Sequence, residues 1–411
     1  MTNPALSGKS VRNPLIFIVI TLTIDAMGIG LILPVMPDLL REIDGGTVGQ
    51  AALWGGVLAT LFAVMQFLFG PTIGSLSDRF GRRPVLLVSL FILAVDYYVM
   101  ALAGTIWLLL IARLVGGITS ATMSTATAYI SDISEPHEKA ARFGLVGAAF
   151  GIGFVLGPIL GGLLSEFGTR APFYAAGTLA LLNLIFGYLV LPETVTDSIR
   201  RPFKWRRANP FGAFAHVGRI PGTARLLILF FLYEFAFYVY PAIWAYFTAL
   251  RFGWDPVMIG VSLGSFGIAM AVVQGGLIRL ILKLLGERMT VLYGFVFNGF
   301  AFFLLAVVAN PTLALVLTPL TALGAVVTPA LQSMIAQKAG PDAQGEMQGV
   351  VSSVKSLAVI FSPMVMTSVF YAFTETDALV FLPGAPFVLS MVLMVVCGLV
   401  YVAGLRAPAP A

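Results

Sequence analysis

The stretch PVLLVSLFILAVDYYVMALA, residues 84–103, holds a single charged residue in a run long enough to cross a bilayer. An α-helix needs about 20 apolar residues to span a hydrocarbon core ~30 Å thick. Such runs recur near 14–36, 52–76, 84–103, 106–130, 142–166, 171–191, 223–249, 256–283, 288–308, 311–336, 346–372 and 380–405. Lipid offers the backbone no hydrogen bonds, so only helices and closed barrels cross it. Barrel strands would alternate apolar and polar residues over about ten positions, whereas these runs are continuously apolar. The expectation is an all-α membrane protein with twelve transmembrane helices. Composition agrees: 59% of the 411 residues are hydrophobic and 10% charged, against about 25% charged in soluble domains.

Basic residues orient the spans. Lys9, Arg12 and Arg406 flank the ends, and most other Lys and Arg fall in the even-to-odd loops on the same side. The opposite side keeps only Arg41, Arg170 and Arg251. Cytoplasmic loops carry the excess of Lys and Arg, so both termini are expected in the cytoplasm. The net charge of +5 reflects this bias and implies no nucleic-acid partner. The longest connection, 192–222, is basic and rich in proline. It reads as a cytoplasmic linker between an N-terminal six-helix bundle, 1–191, and a C-terminal one, 223–411. Two such halves suggest pseudo-symmetric repeats. The polar N-terminus leads into an uncleaved first helix rather than a signal peptide.

The chain has one cysteine, Cys397, and two histidines, His137 and His216. No disulfide framework, metal site or cofactor follows from them. No nucleophile–base pair or phosphate loop is evident, so no enzymatic activity is expected.

Five ionisable residues lie well inside spans: Asp25, Asp96, Arg113, Glu234 and Lys355. A charge at mid-membrane costs at least ~2.5–3.5 kcal/mol, which makes each a functional candidate by default. Counting the helical rise from each span's entry puts Asp96 ~18 Å and Arg113 ~10 Å into the bilayer from opposite sides, at similar heights. They can form a structural pair, a gate that breaks, or both. Asp25, Glu234 and Lys355 all come out roughly 15 Å deep, near the midplane. A Glu234–Lys355 pair can be a static tie, or these groups can handle a proton or substrate directly. Around Glu234, FFLYEFAFYVYP (residues 230–241) is rich in rings. Tyr233, Phe237 and Tyr240 would suit a flat, partly apolar substrate, or form a packed aromatic cluster. Trp244 and Trp254 read as interface anchors.

Two motifs point to a family. The loop GSLSDRFGRRP (residues 74–84) resembles the signature G-x-x-x-D-R-x-G-R-R of the major facilitator superfamily, through Gly74, Asp78, Arg79, Gly81, Arg82 and Arg83. Gly81 permits a tight turn. The loop corresponds by position to KLLGER (residues 283–288), where only the glycine and one arginine agree. In GFVLGPILGG (residues 153–162), Gly153, Gly157 and Gly161 share one helix face. Small residues at that spacing let helices approach closely, and Pro158 bends the helix. With Gly162, the pattern is similar to the superfamily's antiporter motif.

The likeness then narrows. DAMGIGL (25–31), Asp96-Tyr97, RLVGGITSAT (113–122), RFGW (251–254) and PALQ (329–332) resemble the tetracycline:proton antiporters along nearly the whole chain. Membership implies proton-coupled drug efflux by a monomer in the bacterial inner membrane, with a small molecule, protons and lipid as partners. It also implies that helices 1, 7 and 11 line the central cavity, bringing Asp25, Glu234 and Lys355 together. Gln66, Gln274, Asn298 and Gln332 join the cavity candidates with Arg113 and Lys355. The family's helix 9 acid and helix 8 histidine are replaced here by Asn298 and Met270, and neither carries a proton at physiological pH. Coupling is therefore expected at Glu234, with Asp25 and Asp96 as the other carriers. The competing expectation is a transporter of an endogenous organic anion that uses Lys355.

Overall fold

The computed structural model describes residues 9–120, 122–135, 137–197, 200–203, 209–212, 223–338 and 344–406. Much of the expected linker, His216 included, lies outside them. The described residues contain helices and no strand. In chain order the helices are α1 (Lys9–Ile32), α2 (Met36–Asp44), α3 (Val48–Phe80), α4 (Arg82–Leu102), α5 (Ile106–Thr119), α6 (Thr122–Ile133), α7 (Lys139–Ser165) and α8 (Ala171–Val190). Then come α9 (Thr223–Phe237), α10 (Val239–Phe252), α11 (Pro256–Val272), α12 (Ile278–Val307), α13 (Pro311–Thr321), α14 (Val327–Lys338), α15 (Gln344–Ala372) and α16 (Ala385–Arg406).

The expected spans are all present, with instructive differences. Three single spans are each made of two helices, α5–α6, α9–α10 and α13–α14. Conversely, the eighth and ninth spans run on from Pro256 to Val307 with only a π segment at Val273–Leu277 and a kink at Gly286 (φ 71°). Gly81 (φ 113°) makes the equivalent turn between α3 and α4. Both turns need a positive φ, which glycine adopts without a Cβ clash. Lys283, Glu287 and Arg288 interrupt the apolar pattern at the Gly286 kink while the helix continues across it, so hydropathy sees two spans and the backbone nearly one helix. The short amphipathic α2, after the first span, was not foreseen.

The helices form two compact units. The first comprises 1–44, 61–210 and 256–264; the second comprises 45–60, 211–255 and 265–411. Thus the beginning of α3 packs with the second unit and the beginning of α11 with the first.

In the first unit the glycine face of α7 meets α1. A Cβ on Gly157 would lie 2.6 Å from the Met27 carbonyl oxygen and 2.8 Å from Gly30 Cα. A Cβ on Gly30 would lie 2.6 Å from Pro158 Cδ. Gly153 and Gly161 face the Thr23 and Leu31 carbonyls in the same way. Gly162 turns aside to the start of α11, where a Cβ would come within 2.6 Å of the Pro256 carbonyl. One side of α7 thus accommodates α1 and another the beginning of α11. Behind this contact lies a core of Phe17, Leu22, Leu86, Tyr129 and Ala149.

The second unit is built on aromatic packing. Tyr240, Trp244, Phe247, Phe302 and Phe387 form a continuous cluster, with Phe247 and Phe387 edge to face at 5.0 Å. Trp244 is only 1% exposed. It is therefore a core residue and not an interface anchor; α10 turns it inward against Tyr240, Phe247 and Phe387. Two serines tie the helices through backbone carbonyls: Ser362 donates to Phe235 (2.7 Å) and Ser390 to Ala236 (3.0 Å).

The α1–α7 contact yields a test. Gly157→Val should lower folding stability by about 1–3 kcal/mol through overpacking, read as a fall in the melting temperature of the detergent-purified protein. Gly151→Ala lies on the same helix with nothing within 4 Å of its new methyl. It should leave the melting temperature unchanged or raise it.

Candidate functional site

Each unit holds its own buried polar group. In the first, α4 carries Asp96 and α5 carries Arg113, and the two form an ion pair. Asp96 is 3% exposed. The Arg113 guanidinium also contacts the Met100 sulfur (2.7 Å) and lies 5.1 Å from the Phe62 ring centroid. Gly116, one turn beyond Arg113, leaves room for the carboxylate: a Cβ there would come within 3.0 Å of Asp96 Oδ2. Two buried atoms, Asp96 Oδ1 and Arg113 Nε, have no hydrogen-bond partner among the described residues. Removing one member of a buried pair leaves the other charge uncompensated, a loss of about 3–5 kcal/mol.

Asp25 is half-buried on α1. No hydrogen bond or ion pair holds it among the described residues. Its charge reaches the Tyr97 phenol, as do those of Asp96 and Arg113. Gly28, nearly one turn beyond Asp25, leaves room for the Tyr97 hydroxyl, which a Cβ there would meet, so the Tyr97 side chain reaches from α4 to α1 at this point. Asp25, Tyr97, Asp96 and Arg113 therefore form one neighbourhood of the first unit. Gln66, exposed on α3, donates to the Ser120 carbonyl (3.4 Å) at the break between α5 and α6.

In the second unit, Glu234 of α9 is the centre. The Thr328 hydroxyl of α14 donates to Glu234 Oε1 at 2.6 Å. Lys355 Nζ of α15 lies 3.5 Å from Oε2. The carboxylate side chain is 11% exposed and the lysine side chain 51%. Next to it, Tyr233 donates to the Gly324 carbonyl (3.2 Å), and so does Asn298 (2.9 Å), which also donates to Gly294 (2.8 Å). Asn298 is fully buried. Its amide pins the turn Ala322–Gly324 between α13 and α14, and that turn leads into the helix that carries Thr328. Phe237 stacks on Tyr233 (5.5 Å), and Tyr240 meets Phe266 (5.1 Å). Gln332 is half-buried on α14, and Gln274 is exposed within the π segment. π segments often mark functional positions.

The signature loop is locked by residues outside its motif. Arg82 bridges Asp78 (2.6 Å) and Asp132 at the end of α6 (3.1 Å), and also donates to Ser77 (2.8 Å). Glu193, just after α8, accepts the backbone N–H groups of Arg82 (2.8 Å) and Arg83 (3.2 Å). Arg83 reaches the Tyr188 carbonyl (2.8 Å). Arg79 lies over the Phe80 ring, and Gly74 has open space around it. The corresponding loop of the second unit uses the opposite charge. Beside Gly286, Glu287 accepts from Ser333 (2.6 Å) and from Gln337 (2.8 Å) on α14.

Thr328, Asp132, Glu193 and Glu287 were not singled out in the sequence. Thr328 carries no charge and stands in an apolar run. Asp132 and Glu193 are acids at helix ends, where only the basic residues inform orientation. The faint signal for Glu287 was its place beside the loop glycine.

Comparison with known proteins gives the family and the fold. The model of the Major Facilitator Superfamily matches residues 18–363 and 226–411. The chain is 40% identical over 375 residues to the tetracycline resistance protein, class C, of Escherichia coli, covering 91% of this chain and 94% of that one. The crystal structure of the human organic anion transporter MFSD10 aligns with a TM-score of 0.67 at 26% identity, covering 95% and 99%. The nucleoside transporter NupG aligns with a TM-score of 0.77 at 13% identity, covering 96% and 100%, and shares the fold. The protein is a multi-pass membrane transporter and not an enzyme. By motif, fold and similarity alike, the chain belongs to the major facilitator superfamily.

Proposed function

We propose that this protein is a proton-coupled exporter of an amphipathic, drug-like small molecule, with Glu234 as the group that takes and releases the proton. The observation that carries the reading is the Glu234 arrangement. A carboxylate sits in an apolar helix, held by a hydroxyl at 2.6 Å and an ammonium at 3.5 Å. The acid is held by a cation that is itself half-exposed and can be withdrawn from it. The position where related antiporters carry an acid is filled by Asn298, whose amide is spent on the backbone of Gly294 and Gly324. Asn298 therefore supports the turn that presents Thr328, and proton exchange falls to Glu234, with Asp25 as a second carrier in the first unit.

Efflux is supported by the similarity to tetracycline resistance proteins and by the close α1–α7 packing of the antiporter-type glycines. In this reading both termini are cytoplasmic, the membrane is the bacterial inner membrane, and a monomer works by alternating access. The halves 1–191 and 223–411 move about the linker 192–222. The loop around Gly81, clamped by Asp132 and Glu193, opens and closes as they do. The substrate meets the half-buried Phe237, while Tyr233 and Tyr240, buried in the aromatic packing, form the wall behind it.

A second reading, transport of an endogenous organic anion, is favoured by the half-exposed ammonium of Lys355 and by the similarity to a human organic anion transporter.

Expression in a drug-sensitive bacterial strain should raise the inhibitory concentration of at least one amphipathic drug class, tetracyclines first. Protein in the membrane with no shift for any compound would sink the export reading. In proteoliposomes with an imposed pH gradient, Glu234→Gln should abolish gradient-driven flux while leaving the melting temperature of the purified protein near that of the wild type. Intact flux in that variant would remove Glu234 from coupling.

A further inference from the structure

We infer that the outer face of α12 binds one anionic phospholipid, with its phosphate at Lys283 and Arg288 and an acyl chain along the helix. Such a site requires neither a direction of transport nor a proton carrier.

α12 has two faces. Val291, Phe295, Asn298 and Phe302 are buried. Opposite them at helical spacing stand Met289, Val296 and Phe300, exposed by 52%, 67% and 60%. These three, with Leu285, Tyr293 and Phe297, line a groove of 460 Å³. The Tyr293 and Phe297 rings lie 5.6 Å apart along one edge of it. All of its lining comes from α12, so among the described residues no second helix closes it. From Met289 to Phe300 is about 11 residues, or ~16 Å at the helical rise. That is about half of a ~30 Å hydrocarbon core. The groove therefore runs the depth of one leaflet, and it starts at the charged turn around Gly286. An apolar channel of that length, opening at the membrane surface, fits one acyl chain.

The charge at its mouth selects the headgroup. Arg279, Lys283 and Arg288 are exposed, and the ion pairs of the described residues include none of them. Glu287, the acid of this loop, is turned to Ser333 and Gln337. The corresponding loop of the first unit is arranged differently. There Arg82 pairs with Asp78 and Asp132, and Arg83 donates to the Tyr188 carbonyl. One loop finds its anions within the protein. The other presents three cations to the membrane surface, where a lipid phosphate is the anion at hand. Guanidinium groups match phosphate oxygens bidentately. A phosphocholine headgroup carries its own ammonium beside the phosphate and gains less from the same cations. A bound anionic lipid ties Arg288 to the leaflet, as Asp132 ties Arg82 to α6.

The test is lipid binding to the purified full-length protein in a neutral detergent at low salt, read by native mass spectrometry and by melting temperature. The probes are dioleoyl-phosphatidylglycerol, dioleoyl-phosphatidylcholine and sn-glycerol 3-phosphate. The wild type should bind phosphatidylglycerol at least tenfold more tightly than phosphatidylcholine. Each Lys or Arg near the surface is worth about fivefold for an anionic lipid. Lys283→Gln/Arg288→Gln should therefore weaken phosphatidylglycerol by about 25-fold and leave phosphatidylcholine unchanged. Arg200→Gln/Arg201→Gln removes the same charge elsewhere and should leave the preference intact. Val296→Trp fills the groove and should weaken both lipids. Glycerol 3-phosphate, a headgroup without a chain, should bind at least a hundredfold more weakly than phosphatidylglycerol. Equal affinity for the two lipids in the wild type would overturn the inference even where a variant fails to fold. So would a preference that survives in Lys283→Gln/Arg288→Gln, or one lost equally in Arg200→Gln/Arg201→Gln. Unchanged lipid binding in Val296→Trp, or glycerol 3-phosphate as tight as the lipid, removes the acyl groove and the inference with it. None of these outcomes bears on gradient-driven flux, so this site and the export reading stand or fall separately.

Discussion

A charge in hydrocarbon survives only where another charge, a dipole or water answers it, and the functional architecture of this transporter follows from how five such charges are answered. Asp96 and Arg113 answer one another through a single ion-paired contact, closed in by Met100, Phe62 and the space left by Gly116, with Asp96 Oδ1 and Arg113 Nε left unpartnered among the described residues. Glu234 and Lys355 do so loosely, with a hydroxyl completing the carboxylate's shell. Asp25 is answered by no ion pair among the described residues, and the Tyr97 phenol is the polar group on which it acts. The first arrangement suits a fixed strut or a gate that opens at high cost. The second suits a group whose partner can be exchanged.

The two units solve the same mechanical problem with different chemistry. Each has a loop that turns on a positive-φ glycine, Gly81 or Gly286, and each ties the next residue to the helix pair that follows. In the first unit Arg82 bonds Asp132; in the second Glu287 bonds Ser333 and Gln337. The first loop is an ion-paired clamp reinforced by Glu193, and the second a carboxylate held by the uncharged donors Ser333 and Gln337. A bond between ions in a polar loop responds to salt and to nearby charge, so the two loops need not release together. Asn298 illustrates the same economy: a buried amide in an apolar helix serves to anchor a helix break.

The spans, the signature loop and the glycine face were legible in the sequence because each is a local pattern. A twenty-residue apolar run, a ten-residue motif and an i, i+4, i+8 repeat need no knowledge of what lies opposite. The Asp96–Arg113 pairing was also within reach, because helical rise alone sets depth on two neighbouring spans. The partners of the loop were not. Asp132 and Glu193 lie about fifty and one hundred residues from Arg82 in sequence, and nothing local marks them as its ligands. Thr328 was invisible for the same reason, and Trp244 was misjudged because proximity to a helix end says nothing about which way the ring turns.

By itself, then, the chain's order of apolar, basic and glycine residues determined that it crosses a membrane many times, that its loop and glycine motifs are those of the major facilitator superfamily, and which five charges would have to be accommodated. Hydrophobic length and helical periodicity are properties of a segment, so a segment suffices to read them. Tertiary structure alone decided which charge is closed off and which stays reachable. Compensation depends on atoms a few ångströms away that come from distant parts of the chain: Arg113 for Asp96, Thr328 and Lys355 for Glu234.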